Sequence, residues 1–300
     1  MNTYLPADVP TEQEAEFLEN FTRATGGSGR LMLFAGDQKV EHLNKDFFGP
    51  GITAEDNDPE HLFKIASIAD IGVFATQFGL ISRYGRKYPK IPYLVKLNSK
   101  TNIIPVREKD PISEQWLGMD EVIGFKKSSG LQILGVGYTL YLGSEHEHIM
   151  LREAARAVHE AHKNGMIAVL WIYPKGSYIN DEHDPALIAG AAGVGACLGA
   201  DFVKLKVPFR DGKFDPDLLR IVTEAAGNTG VLCEGGGKVD EKAFLIELHE
   251  QIHKGNSRGN GTGRNIHQRP LAEAIKMAGA IYAVTIKNWT VDKALSLLAA

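Results

Sequence analysis

Short apolar runs alternate along this chain with segments of helical periodicity. The runs are rich in β-branched residues and end at glycine or polar residues, which is typical of strands buried in a parallel sheet. We predict eight strands: LMLFAGD (31–37), IGVFATQ (71–77), YLVKLN (93–98), ILGVGYTLYLG (133–143), MIAVLWIYP (166–174), FVKLKV (202–207), VLCEGG (231–236) and GNGTGRN (259–265). The eighth, which is mostly glycine and polar residues, is predicted only because seven similar units precede it.

Helical segments fall between the predicted strands. In SEHEHIMLREAARAVHEAHKNG, Ser144 and Glu147 are placed as a capping box, and Gly165 is placed to end the helix. The glycine-rich AAGVGACLG (191–199) is predicted as a helix that lies close on the sheet, with a loop as the alternative. The alternation therefore predicts repeated βα units.

Eight such units favour a (β/α)8 TIM barrel over a doubly wound sheet, which shows the same alternation. The chain length leaves room for an N-terminal arm or helix over residues 1–30 and for a polar insertion after strand three, within residues 99–132. No internal repeat or low-complexity linker is visible, so we predict one domain over residues 1–300. In such barrels the C-terminal ends of the strands carry the chemistry.

Composition narrows the class of protein. The chain is 44% apolar and 23% charged, as in ordinary globular proteins, and its net charge of −4 with mixed signs argues against nucleic acid or an anionic membrane as a partner. Cys197 and Cys233 show no CxxC spacing, which favours buried thiols in the reducing cytoplasm over a disulfide. No signal peptide and no apolar stretch of about 20 residues is visible.

Two lysines stand out in GADFVKLKVP, a predicted strand. Lys204 and Lys206 are two residues apart, so their side chains share one face of the strand. A lysine is seldom buried unless it is paired or used, and desolvation lowers the pKa of a buried amine, leaving a nucleophile. The alternative is that both lysines are solvated at a rim.

The preceding strand ends in WIYPKG, where Trp171, Tyr173 and Lys175 share one face. A phenol beside an amine nucleophile is a candidate for proton transfer, and a neighbouring ammonium is expected to lower the pKa of Tyr173. The alternative is that both aromatic residues only pack against the barrel.

Asp37 and Lys96 are further charged residues at the predicted strands. Asp37, at the end of strand one, is placed to orient a lysine or bind a sugar hydroxyl, or else to cap a helix. Lys96 lies inside an apolar strand, where it would act on a nearby lysine by like charge or pair with Asp37.

Two glycine-rich turns, CEGGGK and GNGTGRN, follow the last two predicted strands. Glycines let backbone amides approach an anion, and the loops after strands seven and eight of a barrel often bind phosphate. The candidates are Gly235, Gly236, Gly263 and Arg264. Neither turn has the spacing of a nucleotide-binding motif.

Histidines suggest a competing metal-dependent aldolase or isomerase. The candidate ligands are His146, His148, His159, His162, Asp181, His183 and Asp184. Their spacings fit no established metal motif, and a surface role on solvated helices is favoured.

Taken in order, these motifs resemble the archaeal-type class I fructose-1,6-bisphosphate aldolases, members of a DhnA/DeoC-like aldolase family. The resemblance covers about residues 30–275. It rests on DQKVEH (37–42), WIYPKG (171–176), GADFVK (199–204), EGGGK (234–238) and GRNI (263–266).

The resemblance implies a Schiff-base enzyme that reversibly cleaves fructose 1,6-bisphosphate to dihydroxyacetone phosphate and glyceraldehyde 3-phosphate. Lys204 would form the imine, Tyr173 would transfer protons, and Asp37 would be the strand-one carboxylate. Substrate contacts are expected from Trp171, Lys175, Lys206, Lys96, Gly235, Gly236, Gly263 and Arg264. The resemblance further implies a homo-oligomer that acts on a phosphorylated sugar and needs no metal or other cofactor.

The chain departs from the family pattern after Asp37, where Gln38 and Lys39 replace a histidine and a glycine. These positions border the expected sugar and phosphate sites. The alternatives left open are a related phosphoketose aldolase or transaldolase-type enzyme such as 2-amino-3,7-dideoxy-heptulosonate synthase, a deoxyribose-phosphate aldolase, and a noncatalytic phosphosugar-binding barrel.

Overall fold

A closed barrel of eight parallel strands forms the centre of the protein, whose computed structural model describes residues 5–103 and 110–299. The strands are β1 Leu31–Ala35, β2 Val73–Gln77, β3 Tyr93–Lys96, β4 Ile133–Leu142, β5 Ile167–Pro174, β6 Phe202–Leu205, β7 Gly230–Glu234 and β8 Gly259–Thr262. Neighbours in the chain are neighbours in the barrel, and β1 closes the ring against β8, with Leu31 paired to Gly259. The predicted (β/α)8 TIM barrel is confirmed.

Helices connect these strands and cover the outside of the barrel. The α-helices of the described residues are α1 Glu14–Thr25, α2 Gln38–Glu41, α3 Glu60–Ile68, α4 Phe78–Tyr84, α5 Met119–Ser129, α6 Glu147–Lys163, α7 Pro185–Cys197, α8 Pro216–Ala226, α9 Glu241–His253, α10 Arg264–His267, α11 Leu271–Thr285 and α12 Val291–Ala299. Shorter elements are the 3-10 turns Thr11–Gln13, Leu43–Asp46, Ala54–Asn57 and Gly85–Lys87, and an antiparallel hairpin after β6, Phe209–Arg210 with Lys213–Phe214. None of the described helices is both long and apolar enough to span a membrane.

The N-terminal helix α1 packs across the N-terminal end of the barrel. Phe17 lies in the same apolar cluster as the interior barrel residues, and Phe21 stacks on Phe202 at the start of β6, with ring centroids 5.7 Å apart. Asn20 donates a hydrogen bond to the carbonyl of Gly165, just before β5. With this end covered, the opposite end of the barrel is left for a binding site.

The glycine-rich eighth strand forms, but it is shorter than predicted. β8 ends at Thr262, and the chain turns directly into α10 at Arg264. Gly259 has a φ of +131°, and a Cβ there would lie 1.9 Å from the carbonyl oxygen of Leu31. Close approach of the closing strands therefore requires glycine, which explains the weak strand signal of this segment.

The connection after β3 is long, as predicted, but residues 99–132 are not irregular throughout, because α5 lies within them. Its described parts are irregular up to α5, apart from one antiparallel bridge between Asn98 and Gln115. Residues 104–109 of the predicted insertion lie outside the described part of the chain.

The capping box predicted for α6 is wrong, because the helix begins later. His146 is the N-cap and makes no side-chain cap. Ser144 Oγ instead accepts from the amide of His146, and Glu147 accepts from the amide of Gly143, so both bonds stabilise the preceding turn. The helix ends at Lys163, two residues before Gly165.

The predicted glycine-rich helix is confirmed as part of α7. A Cβ at Gly195 would lie 2.2 Å from the side chain of Val203, so glycine allows the helix to lie close on β6. Both cysteines are free. Cys233 is buried in β7, but Cys197 at the end of α7 is exposed, so the prediction of two buried thiols is wrong for Cys197.

Candidate active site

The C-terminal ends of the strands surround a cavity of about 220 Å³. Of the predicted site residues, those that line it are Asp37, Trp171, Tyr173, Lys175, Lys204, Lys206, Gly235, Gly236, Gly263 and Arg264. Lys96 does not line the cavity; it lies buried beside Asp37 and Trp171. The barrel thus gathers residues from β1, β5, β6, β7 and β8 at one end.

Lys204 is a buried amine held against a phenol. Its side chain projects from β6, where the backbone pairs with Trp171 of β5, and the residue is 7% exposed. Nζ donates a hydrogen bond to the phenolic oxygen of Tyr173 at 2.8 Å. Among the described residues, Lys204 forms no ion pair with a carboxylate.

Gly261 on β8, two strands from β6 in the barrel, makes room for this lysine. A Cβ at that position would lie 2.6 Å from both Cδ and Cε of Lys204. Glycine in the middle of β8 is therefore needed for the observed position of the Lys204 side chain. The sequence showed this glycine, but not which side chain it would face.

Lys206 has a different environment from Lys204. Its Nζ lies 2.5 Å from a carboxylate oxygen of Glu182, and the same carboxylate lies 3.9 Å from Nζ of Lys175. Both lysines are partly exposed at the cavity wall. Lys204 and Lys206, which the sequence placed on one face of the strand, thus have different partners: Lys204 contacts Tyr173, and Lys206 pairs with Glu182.

Lys96 is buried under the cavity floor. Its Nζ lies 3.9 Å from the centroid of the Trp171 ring and 3.8 Å from Asp37, and it donates to the hydroxyl of Thr139. Burial lowers the pKa of Lys96 to about 8; Asp37 and Glu41 oppose this shift, and Lys204 adds to it. The predicted pairing with Asp37 is therefore present.

The pKa of Tyr173 is shifted in the direction opposite to that predicted. Burial, together with Glu234, Asp37 and Glu41, raises it well above its ordinary value. Desolvation of a phenolate and the nearby carboxylates outweigh the effect of the neighbouring lysine. Tyr173 is therefore a neutral phenol at physiological pH, with a proton available to donate.

The two glycine turns and Arg264 also line the cavity. Asn265 Nδ2 donates to the carbonyls of Gly235 and Gly237, which fixes the turn after β7. Arg264 Nε donates to the carbonyl of Gly236, and its guanidinium lies 3.6 Å from Asp46. A cation and glycine backbone therefore face the cavity together, as an anion site requires.

Several lining residues were absent from the predicted set: Gln38, Glu41, His42, Tyr141, Glu182, Glu234 and Gly261. Tyr141 and Glu234 lie in the last residues of β4 and β7, so the rule that strand ends carry the site would have found them. Glu182 comes from an irregular loop, and no local signal marks it. Lys39, in contrast, turns away from the cavity to the Phe47 ring and the carbonyl of Asn57.

Two of the candidate histidines, His162 and His183, make structural contacts. Among residues 5–103 and 110–299, no group of three His, Cys, Asp or Glu side chains is arranged to hold a metal. The predicted surface role is wrong for His162, which is 1% exposed and bonded to Asp8 and Asp201. Burial opposes its charge, but the two carboxylates prevail and raise the pKa of His162. His183 bonds the carbonyl of Val207.

Comparison with known sequences finds a family of aldolases and relatives named as aldolases. Residues 31–269 match the model of the DeoC/LacD family aldolases. The chain is 53% identical over 293 residues to a Methanocaldococcus jannaschii protein named fructose-bisphosphate aldolase/6-deoxy-5-ketofructose 1-phosphate synthase, covering 98% of this chain and 93% of the relative. It is 30% identical over 267 residues to the class 1 fructose-bisphosphate aldolase of Thermoproteus tenax, covering 89% and 94%.

Solved structures show the same likeness. A fructose-bisphosphate aldolase from Slackia heliotrinireducens matches with a TM-score of 0.96 and 50% identity, covering 99% of this chain and 94% of that one. An archaeal fructose-1,6-bisphosphate aldolase, described with its catalytic lysine covalently bound to the carbinolamine intermediate, matches with a TM-score of 0.76 and 29% identity, covering 90% and 99%. This chain belongs to the DeoC/LacD aldolase family.

Proposed function

We propose that this protein is a class I aldolase that reversibly cleaves fructose 1,6-bisphosphate to dihydroxyacetone phosphate and glyceraldehyde 3-phosphate. The observation that carries the proposal is the buried amine of Lys204, 2.8 Å from the Tyr173 hydroxyl at the C-terminal end of the barrel. The family relatives named as fructose-bisphosphate aldolases support the choice of substrate.

We propose a direction for the substrate from the residues that line the cavity. Its 1-phosphate would bind the glycine turns and the Arg264 guanidinium, which supply backbone and a positive charge. The C2 carbonyl would then lie at Lys204 on β6, the strand that neighbours β7 and its glycine turn. The remaining hydroxyls face Asp37 and Glu41, whose carboxylates line the cavity.

The first chemical step is imine formation. The Lys204 amine attacks C2 and gives a carbinolamine. Loss of the former carbonyl oxygen as water needs a proton, which the neutral Tyr173 phenol donates. The protonated imine that results is the electron sink of the reaction.

The second step breaks the C3–C4 bond. The Tyr173 phenolate, a strong base because the pKa of this phenol is raised, takes the proton from the C4 hydroxyl. The bonding electrons move into the imine as the aldehyde leaves, giving an enamine of dihydroxyacetone phosphate. Protonation at C3 and hydrolysis of the imine then release the second product and restore Lys204.

Asp37, Lys96 and Trp171 position the reactants. Lys96 holds Asp37 at 3.8 Å and lies against the Trp171 ring, so the carboxylate and the aromatic wall of the cavity are fixed by one buried cation. We propose that Asp37 binds a ketose hydroxyl. The imine supplies the electron sink, so we propose a mechanism without a metal or other cofactor.

Borohydride trapping tests the proposal. Dihydroxyacetone phosphate plus borohydride is expected to leave a stable adduct on Lys204, mapped by peptide mass spectrometry, in the presence or absence of a chelator. An adduct on Lys206 or Lys96, or none at all, would contradict the proposal. Loss of turnover on chelation would restore the metal-dependent alternative.

A second candidate activity uses the same site with a different aldehyde. The Methanocaldococcus relative is named also as a 6-deoxy-5-ketofructose 1-phosphate synthase. In that product, the first three carbons are those of dihydroxyacetone phosphate and the last three are those of 2-oxopropanal, joined by an aldol bond. Formation of this product from fructose 1,6-bisphosphate and 2-oxopropanal, followed by mass spectrometry, tests whether the enamine accepts this aldehyde.

We also propose that the whole chain acts as one aldolase domain in the cytoplasm, as a homo-oligomer. The free state of Cys197 and Cys233 supports a reducing compartment. Light scattering of the purified protein measures the assembly, for which a monomer would be the contrary result.

A further inference from the structure

One carboxylate from a loop lines the cavity together with two lysines. Glu182 lies in the irregular connection between β5 and α7 and reaches the lysines that follow two strands: Lys206 at 2.5 Å and Lys175 at 3.9 Å. All three side chains line the same cavity as Lys204. The cluster therefore belongs to the substrate space and not to the outer surface.

A ketose bisphosphate has a phosphate at each end, so it needs two anion sites. Of the cationic side chains that line the cavity, Lys204 is used by the imine, and Arg264 is tied to the glycine turn after β7. Lys175 and Lys206 are the lining ammonium groups that remain. Lys175 follows β5 and Lys206 follows β6, whereas the two glycine turns follow β7 and β8.

The charges of this cluster are unbalanced in favour of an anion. Two ammonium groups share one carboxylate, so the cluster has a net charge of +1 when all three groups are ionised. A phosphate dianion carries twice the charge of the carboxylate and would bind the two lysines more strongly at the same distance. Phosphate and Glu182 therefore compete for the same ammonium groups.

Glu182 can leave this position at little cost. Its side chain is 32% exposed, so moving it into water does not bury a charge. Helix α7 is anchored independently by Asp184, which caps it by accepting from the amides of Ala186 and Leu187. A movement of the Glu182 side chain therefore does not require a movement of the helix.

We propose that Lys175 and Lys206 bind the phosphate at the far end of the ketose and that Glu182 determines specificity by occupying their place when this phosphate is absent. The inference rests on the proposed function, because it takes the Lys204 imine as given. With a phosphorylated aldehyde portion, the phosphate replaces the carboxylate. With an unphosphorylated aldehyde portion, Glu182 remains paired with Lys206 and Lys175, and these side chains form part of the cavity wall. One site therefore accepts both classes of aldehyde.

The test compares cleavage of fructose 1,6-bisphosphate with cleavage of fructose 1-phosphate, which differ only in the far phosphate. For Glu182→Gln, kcat/KM for fructose 1,6-bisphosphate divided by kcat/KM for fructose 1-phosphate is expected to rise by about tenfold. This is the low end of the effect expected from removing one competing charge at this distance. The matched control is Glu160→Gln on α6, where a carboxylate of similar exposure, 35%, pairs with Lys163 at 3.5 Å. The control should leave the ratio unchanged.

A second variant tests the lysine half of the cluster. Lys206→Met is expected to lower the same ratio, mainly through a higher KM for the bisphosphate. An unchanged or lower ratio in Glu182→Gln, or an unchanged ratio in Lys206→Met, would overturn the inference.

Borohydride trapping separates this failure from failure of the proposed function. Dihydroxyacetone phosphate has no far end, so its adduct on Lys204 does not involve the Glu182 cluster. If the wild-type protein forms the adduct but the ratio does not change, only the specificity inference fails. If the wild-type protein forms no adduct, the proposed aldolase chemistry fails.

Discussion

Lys204 and Lys96 are two buried lysines at strand ends of one barrel, and they differ in their partners. Lys204, 7% exposed, contacts the Tyr173 phenol and no carboxylate among the described residues. Lys96, 2% exposed, pairs with Asp37 and lies against the Trp171 ring. Burial of a lysine is therefore not by itself a sign of a nucleophile.

The partners decide what each amine can do. The carboxylates near Lys96 limit the fall of its pKa to about 8, so this lysine remains mainly an ammonium at neutral pH and fixes its neighbours. Lys204 points into the cavity beside a neutral proton donor, which is the arrangement that amine catalysis needs. Three substitutions test this division of roles.

The largest effect is expected at Lys204. Lys204→Met removes the amine that we propose forms the imine, and turnover should fall by about 10⁴-fold or more. Cleavage of fructose 1,6-bisphosphate measures this, with circular dichroism to verify folding. Lys96→Met is the matched comparison and should still form the borohydride adduct on Lys204. If Lys204→Met instead forms an adduct on Lys96, and Lys96→Met forms none, the roles of the two lysines are reversed.

The next effect concerns the pH dependence of stability at Lys96. Its pKa is about 8 when folded and 10.5 in the reference state, so the unfolded chain binds more protons between these values. The stability contributed by this group is fully present above pH 10.5 and is lost as the pH falls through 8. From pH 8 to 10.5, the free energy of unfolding of the wild type should therefore rise by about 3 kcal/mol relative to that of Lys96→Met.

Urea titrations of both proteins at each pH measure this difference. A difference that is constant across this range would show that Lys96 titrates alike in the folded and unfolded chains, and would remove the reason for contrasting it with Lys204.

A smaller effect is expected at Tyr173, the partner of Lys204. Tyr173→Phe removes the proton donor but keeps the ring, and turnover should fall by roughly 10²-fold. Trapping on Lys204 should persist, because the amine remains. Single-turnover kinetics would locate the loss; full turnover in this variant would exclude the phenol from proton transfer.

The sequence was sufficient for the fold where the apolar pattern was strong. Strands such as VLCEGG and the βα alternation predict the barrel because each buried strand must pair and each crossover must return to the same sheet. It was insufficient where a conformation depends on distant contacts. Before α6, Ser144 Oγ donates to the carbonyl of Pro111, and His162 is bonded to Asp8 and Asp201. These partners are distant in the chain, so no local signal marks them.

For the site, the sequence by itself determined which residues stand at the strand ends, including Lys204, Tyr173 and the glycine turns, because strand period and barrel topology are local and regular. Only the tertiary structure decided which of these residues touch. In the folded chain Lys206 pairs with Glu182, which distinguishes it from Lys204, and the pKa of Tyr173 is raised instead of lowered. Electrostatic effects depend on distance and burial, which residues far apart in the chain set together.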